Sequence, residues 1–350
     1  MTTESATPKS ARPAPPKKDR IAVLDQLRGY AIFGMILVNY LGQFDSMPEM
    51  FKHHREFQDY WPFGFTYADT IAPLFIFVVG MGFRLSFPKR AEKFGIGAAR
   101  WQAFKRYCVL ILVGAVFCGM EWQWIWDALV DIGFGGLLAL PFIERSGKVR
   151  IAAAVLYAAL YQAICSHTGY FEWTMGNSID GGPLAIFSWA SILLFGTIAY
   201  DLVSTRDRRK ILIGSLVWGI GLFAAGWLLR IGWGEIKEPW HFTQRAMLSS
   251  YTIGSAGTSF LALFVFYLIN EVAKFQFPGF SIIGKNPLTI YLVQYSLLGM
   301  YGTFPQLSDG IPLFPESSGV LWATFGFVLF YLFNYAVARR LHNDDVIIRL

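Results

Sequence analysis

Charge is scarce in this 350-residue sequence: Asp, Glu, Lys and Arg together make up 15%, against about a quarter in soluble domains. Cysteine is scarcer still. Cys108, Cys118 and Cys165 form no CxxC pair and sit in or beside apolar runs, which excludes a disulfide framework and a zinc cluster. The five histidines, His53, His54, His167, His241 and His342, lack HExxH or related spacing, so no metal is expected. A VGYG-type filter, arginine at every third position and a repeat of 20–50 residues are all missing. These absences argue against selective channels, voltage sensors and solenoids, and no inverted pair of broken helices speaks for a transporter.

What is abundant is apolar surface, at 54% of residues with 17% aromatic, and the mean hydropathy is +0.42. It comes in long blocks, which excludes a soluble globule and a disordered chain alike. The net charge of +6 lies mostly in short connectors between the blocks. There it sets membrane orientation and does not signal nucleic acid.

The first 20 residues, MTTESATPKSARPAPPKKDR, have no apolar stretch before Ile21 and read as a disordered basic cytoplasmic tail, not a cleaved signal. Residues 21–340 read as one transmembrane domain and 341–350 as a cytoplasmic C-terminal tail. A span needs about 20 apolar residues. Ten blocks qualify, near 21–44, 64–87, 106–120, 128–143, 150–166, 182–203, 211–230, 247–270, 281–300 and 319–340. With both termini cytoplasmic, 22 of the 30 Lys and Arg residues fall on the inside and 5 outside. The expected fold is therefore an all-α polytopic bundle of about ten helices. The EWQWIWD stretch ending at Asp127 reads as an interfacial aromatic belt.

Charges inside spans are expensive and so mark candidate sites. Asp25 and Arg28, three apart in LDQLRG, share a helix face near the inner boundary. They read as an internal ion pair or as a phosphate clamp, since Arg offers a forked donor to anions. Gly29 beside them permits close backbone approach. Asn39, about three turns outward, reads as an interhelical hydrogen bond or an oxyanion donor. Asp69 in GFTYADT reads as a helix N-terminal partner or as part of a site. The loop between these spans carries FKHHREFQDYW, where His53 and His54 are a solvated pair or a proton-transfer group.

Taken together, RIAVLDQLRGYAIFGMILVNYLG and GFTYADTIAPLFIFVVGMGFRLS resemble the heparan-α-glucosaminide N-acetyltransferase family of multispan membrane acyltransferases and its bacterial relatives. GGPLAIFSWASILLFGT, SSYTIGSAGTSF and GKNPLTIYL fit the same pattern. The resemblance implies acetyl transfer from cytosolic acetyl-CoA, or a related acyl-CoA, to a sugar amine or hydroxyl across the membrane. It implies catalytic roles for His53, with His54 as rival, and for Asn39 and Asp69. For the acyl-CoA donor it implies Asp25, Arg28, Lys285 and Asn286. A gapless match from Asp69 would put Asp59 in the histidine's place. The expected partners are acyl-CoA, a carbohydrate acceptor and the lipid bilayer, with a homodimer left open, in a bacterial inner membrane.

The chemistry is consistent with that implication. Polyanionic CoA suits the basic inner connector KRAEKFGIGAARWQAFKR, although positive-inside charge accounts for it equally. An outer-loop histidine would act as general base or take the acetyl group itself. The alternative is a transporter or flippase-like membrane protein without acyl-transfer chemistry.

Overall fold

The computed structural model describes residues 22–53, 65–122, 125–231, 240–301 and 313–348. The tail at 1–20 and the residues His54 and Asp59 lie outside them.

Among the described residues the chain is all helix. Twelve α-helices follow one another: α1 Ala22–Leu41, α2 Ala68–Phe94, α3 Ile96–Phe117, α4 Ala128–Ala139, α5 Gly147–His167 and α6 Tyr170–Asn177. They continue as α7 Ile186–Ser204, α8 Arg208–Ile231, α9 Ser249–Tyr267, α10 Pro278–Ile283, α11 Pro287–Tyr301 and α12 Val320–Asn343. Each of the ten apolar blocks overlaps one of the longer helices, the ninth also taking in the end of α10, and α6 lies outside them all. Among the described residues, six helical stretches are long and apolar enough to cross a membrane: Ala68–Phe94, Gly147–His167, Pro183–Ser204, Arg208–Arg230, Ser249–Val272 and Val320–Asn343. Ala128–Phe142 and Pro287–Leu298 are apolar but shorter. The last helix runs to Asn343, so the expected C-terminal tail begins three residues later than its composition indicates.

The helices sort by what surrounds them. α2 and α7 are buried along most of their length, whereas α8 and α12 turn most of theirs outward. Leu216, Val217, Ile220 and Leu228 on α8, and Leu321, Phe325, Leu332 and Phe333 on α12, stand exposed. Such apolar faces suit hydrocarbon, because every backbone polar group within a helix is already paired.

Close approach of backbones fixes the centre. A Cβ on Gly80 of α2 would lie 2.0 Å from Leu193 O of α7, and one on Gly196 of α7 would lie 2.0 Å from Phe77 O of α2. The two helices therefore cross in direct contact, as small residues allow in membranes. Phe77 packs edge-on against Phe260 of α9 beside this crossing. On α1, a Cβ at Gly29 would meet Phe280 O of α10 at 1.9 Å, and one at Gly284 would meet Asp25 O at 2.5 Å. Gln26 locks that contact: its amide donates to Phe277 O (3.0 Å) and Ser281 Oγ (2.6 Å) and accepts from Phe277 N (3.0 Å).

Polar residues gather at the two ends of the bundle. At one end, Arg84 of α2 donates to Asp201 of α7 (2.8 Å) and to Ile143 O (2.8 Å), and the buried Arg150 of α5 pairs with the same Asp201. Arg100 of α3 pairs with Glu144, the residue after Ile143, at 2.5 Å. At the other end the segment after α1 joins the segment before α12, where Asp45 N donates to Glu316 O and Ser46 Oγ to Ser318 O.

A candidate active site at one end of the bundle

Asp69 lies in the first turn of α2 and is 1% exposed. A buried carboxylate needs donors, and three groups converge on it. His53 Nδ1 lies 3.2 Å from Oδ1, and Thr66 N–H donates to Oδ2 at 3.0 Å. The Thr66 hydroxyl is 3.1 Å from Oδ2 and 2.9 Å from Lys52 O, so it ties this acid to the residue before His53. From α9, Tyr251 donates its hydroxyl to the Asp69 carbonyl at 2.6 Å.

His53 is held by that carboxylate at one nitrogen while its side chain is 48% exposed. It borders two spaces. One is a recess of 770 Å³ at the end of the bundle where the segments after α1 and before α12 meet, with Asp45, Lys52, Thr66 and Glu316 in its walls. The other is a deeper cavity of 80 Å³, lined also by Asn39 of α1, Asp127, Asp180, Gln244 and Tyr291. The imidazole thus stands where the two meet. The Asn39 side chain faces the deeper cavity and makes no hydrogen bond among the described residues, while its carbonyl accepts from Gln43 Nε2 at 2.6 Å.

Two acids in the deeper cavity escaped the sequence reading. Asp127 is the N-cap of α4, accepting from Ala128 N (2.6 Å), and Tyr291 of α11 donates to its other oxygen (3.2 Å). Asp180 lies in the turn between α6 and α7 and accepts from Gln244 Nε2 at 3.1 Å. Their signals were faint in one dimension: Asp127 closes the tryptophan stretch, and Asp180 precedes a Gly-Gly pair. Both glycines have positive φ, 80° at Gly181 and 66° at Gly182, the signature of a built turn.

Electrostatics follow from this crowding. Burial alone would lower the His53 pKa, but the Asp69 hydrogen bond and charge, with Asp180 and Asp127 behind them, raise it above its ordinary value. Burial pushes Asp180 up to about 7, with the Asp127 charge adding to the rise and His53 opposing it. Asp127 is raised too, again by burial, against the Ala128 N–H and tyrosine hydrogen bonds. The cavity therefore holds three groups, His53, Asp127 and Asp180, whose protonation is shifted by burial and by one another.

At the opposite end Asp25 and Arg28 form the expected pair, 3.3 Å apart. Arg28 also faces α2, since a Cβ on Gly82 would lie 3.2 Å from its Nη2. Arg28 and Asn39 are eleven residues apart on α1, about 16 Å at 1.5 Å per residue. Lys285 and Asn286 follow Gly284, so their backbone runs beside the Asp25 turn. Their side chains turn to the C-terminal segment: Lys285 Nζ is 2.5 Å from His342 Nδ1, Asn286 donates to Val346 O (2.9 Å), and Ile348 N donates to Asn286 (2.9 Å). The structure thus brings Asn39, His53 and Asp69 together, keeps Asp25 with Arg28, and engages Lys285 and Asn286 elsewhere. No group of His, Cys, Asp and Glu among the described residues has the arrangement of a metal site.

A helical membrane protein with a histidine held by a buried carboxylate, opening on a polar cavity, has the parts of a membrane-embedded group-transfer enzyme. Residues 20–232 match the family described as heparan-alpha-glucosaminide N-acetyltransferase, catalytic, and the chain belongs to that family of membrane acetyltransferases. Asn39, His53, Asp69, Asp127 and Asp180 all fall within the matched region, whereas Gln244, Tyr251 and Tyr291 lie beyond it. Over 149 residues the chain is also 30% identical to an uncharacterized 39.9 kDa protein in amylase 3'region of Bacillus acidopullulyticus. That match covers 41% of this chain and 41% of the relative, so the chain spans about two fifths of the relative's length.

Proposed function

We propose that this protein moves an acetyl group from cytosolic acetyl-CoA to an amine or hydroxyl of a sugar at the outer face of the cell membrane. It does so from a ten-span bundle with both termini in the cytoplasm. The observation that carries the proposal is the His53–Asp69 pair at the junction of the outer recess and the deeper cavity. Acyl transfer needs a base held in one orientation, and a carboxylate on Nδ1 leaves Nε2 of His53 to serve as that base.

The donor enters from the inner end, where the Arg28 guanidinium, balanced by Asp25, takes a CoA phosphate. The roughly 16 Å from Arg28 to Asn39 is about half the hydrocarbon thickness, a separation for the pantetheine arm to bridge. The acceptor comes through the outer recess. With Asp69 on Nδ1, Nε2 of His53 is the nitrogen left to act. It takes the proton from the acceptor as the acceptor's lone pair bonds to the thioester carbon. The Asn39 amide donates to the oxygen on which charge develops. The intermediate collapses, the C–S bond breaks, and His53 returns the proton to the CoA thiolate.

The test replaces His53 and His54 separately by Ala in the full-length protein and measures acetyl transfer at saturating acetyl-CoA. Loss of the base should lower turnover by about 10²–10⁴-fold in His53→Ala, with acetyl-CoA binding retained, and His54→Ala should stay near wild type. Equal activity in both variants and in the double variant would remove His53 from the chemistry. An acetyl-enzyme trapped before acceptor is added, and absent from His53→Ala, would replace direct transfer by a relay through the imidazole.

A further inference from the structure

One base does not suffice if the acceptor is an amine. At neutral pH a sugar amine is largely ammonium and has no lone pair to offer. It must lose one proton before attack and a second during it. His53 accounts for the second, so the first needs another acceptor in the same cavity.

We infer that Asp180 is that second base, the carboxylate that receives the ammonium proton and delivers the free amine to His53. The inference rests on the acyl-transfer reading above and adds a catalytic residue to it. Asp180 and His53 line one 80 Å³ cavity. One oxygen of Asp180 is taken by Gln244 Nε2 at 3.1 Å. Its backbone is fixed with unusual thoroughness for a loop residue. Trp189 Nε1 donates to Asp180 O (3.3 Å), Gly181 N donates to Arg245 O (2.9 Å), and Tyr170 donates to Gly181 O (3.0 Å). Asp180 itself has φ 49°, the left-handed region that side chains enter at a cost. Strain held by this many contacts aims one side chain.

Its surroundings suit the task. Facing Asp180 are His53 from the loop after α1, Asp69 from α2, and Asp127 and Asp131 from α4. Arg245, on the segment before α9, donates from its guanidinium to Met175 O at 2.9 Å. An ammonium therefore enters a region lined by acidic side chains and finds a carboxyl group raised by burial towards neutrality. The steps balance. R–NH₃⁺ gives a proton to Asp180, the amine bonds to the thioester carbon, His53 takes the N–H proton and passes it to the departing thiolate, and Asp180 releases its own to water. The overall change is R–NH₃⁺ with acetyl-CoA giving the amide, CoA and one proton.

The experiment compares wild type with Asp180→Asn, using acetyl-CoA and glucosamine as probes across pH 6 to 9. Asparagine tolerates the left-handed backbone and keeps an oxygen for Gln244. The variant should lose about 10²-fold in kcat/KM at pH 7, where Asp180 is ionised in a large part of the wild type and the amine is still largely ammonium, with the deficit shrinking to within about threefold at pH 9, where the free amine is supplied by solution. Asp180→Glu should recover part of the activity at pH 7. A deficit of the same size at every pH would mean that Asp180 only supports the loop, and an unchanged variant would mean that it is not used; either outcome overturns the inference while leaving His53 in place. If wild type transfers no acetyl to either glucosamine or a hydroxyl acceptor, the parent reading falls and this one with it.

Discussion

Asp69 acts on His53 in two ways, because it fixes the ring and also raises its pKa. The two effects separate in Asp69→Asn. Removing the carboxylate charge removes the main influence that holds the imidazole pKa up, so the neutral base appears at lower pH. The rising limb of the rate against pH should therefore move down relative to wild type, while the plateau falls because the ring is no longer oriented. A pH–rate profile for acetyl transfer checks both, and a limb that stays in place or moves up would separate Asp69 from His53. Asn39, His53 and Asp69 were legible in the sequence because polar residues in or beside apolar blocks are conspicuous. Asp127 and Asp180 were not, since an acid at the edge of a span is unremarkable until three separate loops close around it. Lys285 and Asn286 show the reverse: their motif was visible, but only the folded chain reveals that the last turn of α12 and the segment after it occupy their side chains.

At the scale of elements, apolar blocks located ten of the twelve helices, and the two that they did not mark as helices of their own are the shortest, α6 and α10. Six to eight residues leave too little periodic pattern to stand out from a connector. The Gly29 contact was legible as a place of close approach, though its partner was not. That partner is the backbone of α10, which a sequence cannot indicate. Sidedness is the property of these elements that most needs measurement. With ten spans, Glu316, joined to Asp45 at one end of the bundle, faces outward, and Arg208 at the start of α8 faces the cytoplasm. A membrane-impermeant maleimide should label Glu316→Cys in intact cells, and Arg208→Cys only after permeabilisation. Labelling of both in intact cells would sink the ten-span topology.

For the whole molecule, the crossing of α2 and α7 acts as a fulcrum. Gly80 and Gly196 clamp the two helices backbone to backbone, and Asp69 sits eleven residues from that point, about 16 Å along α2. On an arm of that length, a tilt of about 4° carries the carboxylate through about 1 Å, a misplacement on the order of 10²-fold in rate. Helices in a bilayer of mismatched thickness tilt to fit it. Acetyl transfer should therefore peak at one acyl-chain length when the protein is placed in nanodiscs of graded thickness, with acetyl-CoA affinity changing less than turnover. A flat response would show that the crossing isolates the catalytic pair from its surroundings. Otherwise the lipid that surrounds the enzyme sets the spacing of its catalytic groups, and membrane composition becomes a mechanical input to the reaction.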